Sequence, residues 1–392
     1  MNTFEKDGQY VAHTYARFPL QIVSGKGSVL VDSQGKEYID LGTGIAVNTF
    51  GTADGEWIEA VTDQLKKFSH TSNLFYSSPC ADLAEKLCQR TGMKRVFFSN
   101  SGAEANECAI KAARGFAAQK WGKDRHVIVT LNNSFHGRTI TTLAATGQEV
   151  FHKDFTPLTP GFISVPANDI EAVRQAVKEY DAIAVMFETV QGEGGVLPLE
   201  ESFVQGLAQL REETEVLLIA DEVQTGNGRT GRLYGYMNYE ILPDIVTTAK
   251  GLGGGLPIGA TLLGERVQDV YQPGSHGSTF GGNPVACAGA LNILNRINDA
   301  LLADVRKKSE FIFDTLSQAE GVISVSGMGL MIGVETVGDA KEILAKCRER
   351  GVIALTAKNK VRLLPPLNIP MDLLEQALAV LKDAIALCAI AK

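Results

Sequence analysis

The 392-residue sequence predicts an α/β fold with a large, mostly parallel-sheet domain and a smaller α+β domain. Three observations predict it. Short apolar runs such as Arg95-Val-Phe-Phe-Ser99, Ala182-Ile-Ala-Val-Met-Phe187 and Val216-Leu-Leu-Ile-Ala220 alternate with stretches of helical period. Runs of that kind are covered on both faces, as the strands of a parallel sheet are. The chemically distinctive residues follow directly after these runs, where the carboxyl ends of parallel strands form a crevice. The pattern also changes at both ends, to alternating short strands before residue 45 and to shorter elements after residue 283.

In chain order, residues 20–41 alternate around turns at Gly25-Lys-Gly27 and Ser33-Gln-Gly35 and read as antiparallel strands. Helices at 56–68 and 79–91 precede a strand at 95–99, and a helix at 103–119 precedes a strand at 126–131. A helix at 169–179 leads to strand 182–187, another at 202–213 leads to strand 216–220, and strand 245–248 leads to Lys250. A helix over 284–299 opens a region of short strands at 323–325, 330–334 and 361–364, separated by helices, and a packed amphipathic helix covers 372–391. The division expected is a large domain over 46–283 and a smaller one assembled from 1–45 and 284–392.

Composition narrows the partners. The net charge is −8 without a basic block, which argues against nucleic acid. Six scattered cysteines without a C-x-x-C read as reduced thiols. The N-terminus has no apolar run, and the 372–391 helix carries Glu375, Lys382 and Asp383, so neither reads as a signal or a membrane span. A cytoplasmic chain without a membrane partner is expected.

The chemistry is concentrated in Asp221, at the end of an apolar strand, and Lys250, in Thr247-Thr-Ala-Lys250-Gly-Leu-Gly-Gly-Gly255. A lysine among small residues loses hydration, which lowers its pKa and makes its amine available. An acid at a strand end and such a lysine match the needs of pyridoxal phosphate, which is held covalently by a lysine and partnered at its ring nitrogen by an acid. Taken alone, Asp221 is equally a cap and Lys250 equally a surface lysine. Asn100-Ser-Gly-Ala-Glu-Ala-Asn106 is either an ordinary strand-to-helix turn or an anion site at a helix N-terminus. Phe135 and Arg138 are either a core ring and a surface arginine or a ring-stacking and carboxylate-binding pair. Glu188 and Glu193 share a glycine-rich loop, and Arg362 stands inside an apolar strand, where burial demands a partner. His276-Gly-Ser-Thr-Phe-Gly-Gly offers hydroxyls and amides suited to phosphate. No H-E-x-x-H, G-x-S-x-G, P-loop or Cys/His ligand spacing is present, so no metal is expected.

Together, in this order and spacing, the motifs resemble the class III pyridoxal phosphate aminotransferases, whose fold type I is that of aspartate aminotransferase. The resemblance runs from Tyr15-Ala-Arg-Phe-Pro to Pro366. It implies that Lys250 holds pyridoxal 5'-phosphate covalently and moves the proton, and that Asp221 keeps the pyridine nitrogen protonated. It implies further that Val223 and Phe135 cover the two ring faces, that Gln224 bonds the phenolic oxygen, and that Glu222 belongs to the same cofactor-binding stretch. Gly102 and Ala103 would offer amides to the phosphate. Thr279, with Ser278 beside it, would reach the neighbouring subunit's site, so a homodimer is implied. Arg362 would bind the α-carboxylate of glutamate or 2-oxoglutarate, Arg138 the other substrate carboxylate, and Glu193 would mask an arginine in one half-reaction. The stretches Gly44-Ile-Ala-Val-Asn48 and His70-Thr-Ser-Asn-Leu-Phe-Tyr76 are most similar to members that move the δ-amino group of N2-acetylornithine to 2-oxoglutarate in arginine biosynthesis. Succinylornithine, ornithine, acetyl-lysine and 4-aminobutyrate remain alternative donors. The segment Phe50-Gly-Thr-Ala-Asp54 departs from the family's usual Gly-His pair and His-Pro stretch.

Overall fold

A seven-stranded sheet organises the larger part of the chain; the computed structural model describes residues 1–390. Its strands run in the order Arg95–Ser99, Gly259–Leu263, Ile245–Thr248, Leu217–Asp221, Ala184–Phe187, Ile128–Leu131, Phe162–Val165. All are parallel except Gly259–Leu263, which is antiparallel to both neighbours. That strand and Phe162–Val165 lie outside the runs marked in the sequence.

Alternation along each strand supplies two apolar faces. Leu217 and Ile219 pack with Ala109, Ala112 and Ala113 of the helix Gly102–Trp121. Leu218 and Ala220 point the other way, into a core shared with Phe203 and Leu207 of the helix Glu201–Thr214. Helices on both faces keep the sheet ends, rather than its faces, open for chemistry.

A second core is built on the antiparallel strands Val322–Met328, Met331–Thr336, Lys360–Leu363 and Leu355–Ala357. The helices Asp299–Ser317, Ala340–Glu349 and Met371–Ile390 cover it. The N-terminal strands Ile22–Lys26, Val29–Asp32 and Glu37–Asp40 form a small sheet with Val352–Ile353.

The expected helix at 284–299 ends at Arg296. Asn298 accepts from the Leu301 amide at 3.0 Å and starts a new helix, Asp299–Ser317, after Pro284–Arg296 has ended. The first of these packs Ala286, Cys287, Ala290 and Ile293 into the core of the main sheet, against helices Gly55–Lys67 and Ser78–Thr91. Placing it with the smaller domain misassigned it, because its apolar face does not reveal which core it fills. Among the described residues no helix is long and apolar enough to cross a membrane, and no His, Cys, Asp or Glu cluster is arranged to hold a metal ion.

Candidate active site

The strand Leu217–Asp221 fixes its own last residue. With Leu217 and Ile219 facing the helix Gly102–Trp121, Asp221 must face it too, and Glu222 must face away. The buried Asp221 Oδ2 accepts from Asn106 Nδ2 and from His136 Nδ1, each at 2.8 Å, and Oδ1 accepts from the Val223 amide at 3.0 Å. Asn106 also donates to the His136 carbonyl at 2.7 Å and accepts from Thr247 Oγ1 at 2.7 Å. The carboxylate is thereby locked in one orientation, toward a cavity of about 410 Å³ at the sheet's carboxyl edge.

Glu222 turns into the opposite core. It accepts from Thr225 Oγ1 and the Gly235 amide at 2.7 Å and from the Tyr236 amide at 2.8 Å. Burial pushes its pKa up to about 7. It does not line the cavity, so the expected cofactor contact is corrected: strand parity sends neighbouring acids to opposite faces.

Lys250 follows the strand Ile245–Thr248 across the cavity, with its backbone at φ 44°. For a residue with a side chain that conformation costs about 1–3 kcal/mol and is concentrated at functional sites. The side chain is half-buried. Loss of hydration pushes its amine below the ordinary lysine range, Arg362 pushes the same way, and Glu193, Asp221 and Glu188 oppose both.

The turn after Arg95–Ser99 forms the third wall. Ser101 Oγ accepts from the Glu104 amide at 3.2 Å, while Glu104 Oε2 accepts from the Asn100 amide at 2.8 Å. The turn is thus satisfied from within and presents Gly102 and Ala103 to the cavity. A side chain at 102 would put its Cβ 2.6 Å from Val223 Cγ1, so only glycine lets the helix start approach this closely. Phe135 lines the cavity with Val223; its amide donates to Glu188 Oε1 at 2.8 Å, and its ring meets Phe151 edge-on at 5.7 Å. Arg138, exposed at the mouth, lies 4.4 Å over Phe151 and 5.6 Å over Phe135.

Gln224 separates this cavity from an ion pair. The buried Arg362 donates to Glu193 Oε1 at 2.7 Å and to Gln224 Oε1 at 3.3 Å. Burial raises the Glu193 pKa, but the adjacent guanidinium overrides it and holds the carboxyl below its usual range. Arg362 Nε is buried without a partner among the described residues, leaving hydrogen-bonding capacity for a second carboxylate. Ser278 and Thr279 lie outside the cavity. Ser278 Oγ accepts from the Gly281 amide at 2.8 Å, and Thr279 is exposed.

Three contributors were not singled out in sequence, and a fourth, Glu188, was marked there only as a loop acid. Asn106 and His136 orient Asp221, Glu188 holds the Phe135 amide, and Phe151 supports Arg138. Burial pushes the Glu188 carboxyl well above its usual range, and the Asp221 charge adds to this. Two of the three had a signal: Asn106 and His136 lie inside motifs named for their neighbours. Phe151, in a short turn, had none.

The residues present fit pyridoxal phosphate. Val223 and Phe135 line the same cavity and offer apolar surface to a planar ring, the helix start at Gly102 suits an anion, and Asp221 and Lys250 bring to that cavity the acid and the amine that a ring nitrogen and a carbonyl carbon require. With an arginine–glutamate pair behind the ring position, the fold and site define a pyridoxal phosphate-dependent aminotransferase. The chain matches the family model Aminotransferase class-III over residues 10–385 and belongs to that family. It is 49% identical to an acetylornithine aminotransferase of Haemophilus ducreyi over 97% of each chain, and 44% identical to one of Caldanaerobacter subterraneus over 98% of this chain and 99% of the relative. Among solved structures, N-acetylornithine aminotransferase from Stenotrophomonas maltophilia superposes with a TM-score of 0.86 at 35% identity, covering 99% of this chain and 100% of that one. Ornithine aminotransferase from Toxoplasma gondii superposes at 0.95 with 31% identity, covering 99% and 95%.

Proposed function

We propose that the enzyme moves the δ-amino group of N2-acetylornithine to 2-oxoglutarate, giving N-acetylglutamate 5-semialdehyde and glutamate, and that it serves arginine biosynthesis in the cytoplasm. The observation that carries the reading is the Arg362–Glu193 pair at 2.7 Å beside Gln224. One pocket must receive the terminal amine of one substrate and the α-carbon of the other. An arginine masked by an internal acid presents little charge to the first, and unmasked it clamps the carboxylate of the second.

When bound, pyridoxal phosphate supplies the electron sink that lets an amino group leave one carbon and join another. The chain supplies the rest. Lys250 Nζ, partly stripped of water, anchors the cofactor and carries a proton to and from the reacting substrate carbon. Asp221, locked by Asn106 and His136, would pair with the ring nitrogen. Gly102 and Ala103 would receive the phosphate, Val223 and Phe135 would flank the ring, and Gln224 would bond the phenolic oxygen. Arg138, carried on Phe151 at the mouth, takes the distal carboxylate of 2-oxoglutarate or the α-carboxylate of the acylated donor. Thr279, exposed outside its own cavity with Ser278 beside it, would complete the phosphate site of a second copy, so the active form is a homodimer. The similar proteins named acetylornithine aminotransferase support this donor over the alternatives.

The test is a half-reaction screen of the holoenzyme, following the cofactor absorbance with acetylornithine, succinylornithine, ornithine, acetyl-lysine and 4-aminobutyrate in turn. Acetylornithine should bleach it with the highest kcat/KM. Faster turnover of free ornithine or 4-aminobutyrate would overturn the donor assignment.

A further inference from the structure

The hairpin that supplies Arg362 carries two more cations. Lys360 and Arg362 share one face of the strand Lys360–Leu363, and Lys358 stands in the turn that joins this strand to Leu355–Ala357. Arg362 and Lys358 reach the main-sheet part of the molecule directly, and Lys360 does so through Ser326 of its own sheet. Arg362 meets Glu193. The buried Lys360 donates to Ser326 Oγ at 3.0 Å, and Ser326 Oγ in turn donates to the Val196 carbonyl at 2.8 Å, three residues beyond Glu193. Lys358, at the hairpin tip, donates to Asn133 Oδ1 at 2.5 Å.

The third contact reaches a different loop, the one that carries Phe135 and Arg138. Asn133 is itself held tightly. Its amide donates to the Gly147 carbonyl at 2.8 Å, Gln191 Nε2 donates to the neighbouring Asn132 carbonyl at 2.8 Å, and a Cβ on Gly194 would come within 2.5 Å of the Asn133 carbonyl oxygen. One side chain therefore ties the strand of Arg362 to the loop of Arg138, at the point where that loop packs on the segment of Glu193. Both partners sit in left-handed backbone, Lys358 at φ 54° and Asn133 at φ 68°. Asparagine tolerates this, but a lysine in a two-residue hairpin turn is strained where glycine or asparagine would be relaxed.

We propose that Lys358 is a positioning residue for the dicarboxylate: it fixes the spacing between Arg138 and Arg362, and with it the chain length of keto acid the two arginines accept. The need is specific to one half-reaction. While Glu193 holds Arg362, the strand has a charged tether to the main-sheet part; once a substrate carboxylate replaces Glu193, the contacts of Lys358 and Lys360 keep the strand in register. The proposal rests on Arg138 and Arg362 being the carboxylate ligands.

The experiment compares the Lys358→Gly, Lys358→Arg and Arg362→Ala holoenzymes in steady-state kinetics with 2-oxoglutarate, oxaloacetate and 2-oxoadipate, and in thermal melts. Glycine removes the tether and relieves the strained turn. Lys358→Gly should therefore keep or raise Tm while the KM for 2-oxoglutarate rises roughly three- to tenfold, more than kcat falls, and the preference for it over 2-oxoadipate narrows. Lys358→Arg should retain wild-type preference. A KM change of less than about twofold in Lys358→Gly, or a change accompanied by a lower Tm, overturns the proposal. The two failures are distinguishable. If Arg362→Ala raises the KM for 2-oxoglutarate and Lys358→Gly does not, only the tether is wrong; if Arg362→Ala leaves it unchanged, the carboxylate assignment and the tether fall together.

Discussion

Replacing Glu193 with glutamine tests the charge logic of the pocket with the least change in shape. The carboxylate lies 2.7 Å from the Arg362 guanidinium, and the two side chains are 30% and 4% exposed respectively. With charge centres about 4 Å apart and an effective dielectric near 20, the gross attraction is about 4 kcal/mol. Desolvation of Arg362 and residual solvation of Glu193 offset most of it, leaving about 1–2 kcal/mol as the penalty an incoming carboxylate meets. Glutamine retains an acceptor for Arg362 but removes that penalty. The KM for 2-oxoglutarate should therefore fall roughly five- to thirtyfold. The opposite change is expected with the amine donor, whose ammonium now meets an unneutralised guanidinium and whose kcat/KM should drop by a similar factor. Single-turnover absorbance changes of the holoenzyme, measured separately for each half-reaction, read the two effects independently. If both half-reactions weaken together, or both are untouched, Glu193 is not masking Arg362 and the account of dual specificity fails.

Two further outcomes follow from the site and its surroundings. Lys250→Ala should bind pyridoxal phosphate without a covalent adduct after borohydride reduction, and should be inert in both half-reactions; near wild-type turnover would remove Lys250 from its role. Glu222 gives a pH signature. Its folded pKa, about 7, lies above the ordinary 4.5, so the proton is held more tightly in the folded state. The associated stability is fully present below about pH 4.5 and is lost as the pH rises through 7, an order of about 3 kcal/mol. Denaturant unfolding at pH 5 and pH 8 should show that loss in the wild type and a flatter dependence in Glu222→Gln; identical slopes would show that Glu222 is ionised at little cost in the folded protein.

How much of this was legible depended on whether the information was local. The strand Leu217–Asp221 announces itself by an unbroken apolar run, and its terminal acid by position. The same is true of Lys250, which follows the run at 245–248. The strand Gly259–Leu263 was not legible: it emerges from a glycine-rich segment, and its reversed direction depends on pairing with Arg95–Ser99, more than 150 residues earlier. Glu222 was misread because a motif names neighbours, whereas a strand separates them onto two faces. Asn106 is an ordinary helix residue until the fold places Asp221 against it, 115 positions later in the chain. The phosphate turn stood between two readings because a capped helix start looks the same in sequence whether or not it faces a cavity.

That reversed strand has a consequence for the lysine. Because Gly259–Leu263 runs against its neighbours, Gly259 lies at the same edge of the sheet as Ser99 and Thr248. The chain leaves the sheet at Thr248, carries Lys250 over the edge, and re-enters beside the strand it left. Both ends of this excursion are pinned by one hydrogen-bonded ladder, so its contour length is an invariant of the architecture. Only Ala249 separates Lys250 from the paired Thr248, so a residue inserted before the lysine would move the point at which its side chain leaves the sheet edge. Between Thr248 and Lys250 the quantity under constraint is the number of peptide units as much as their identity, and the amine inherits its position from the ladder one residue away.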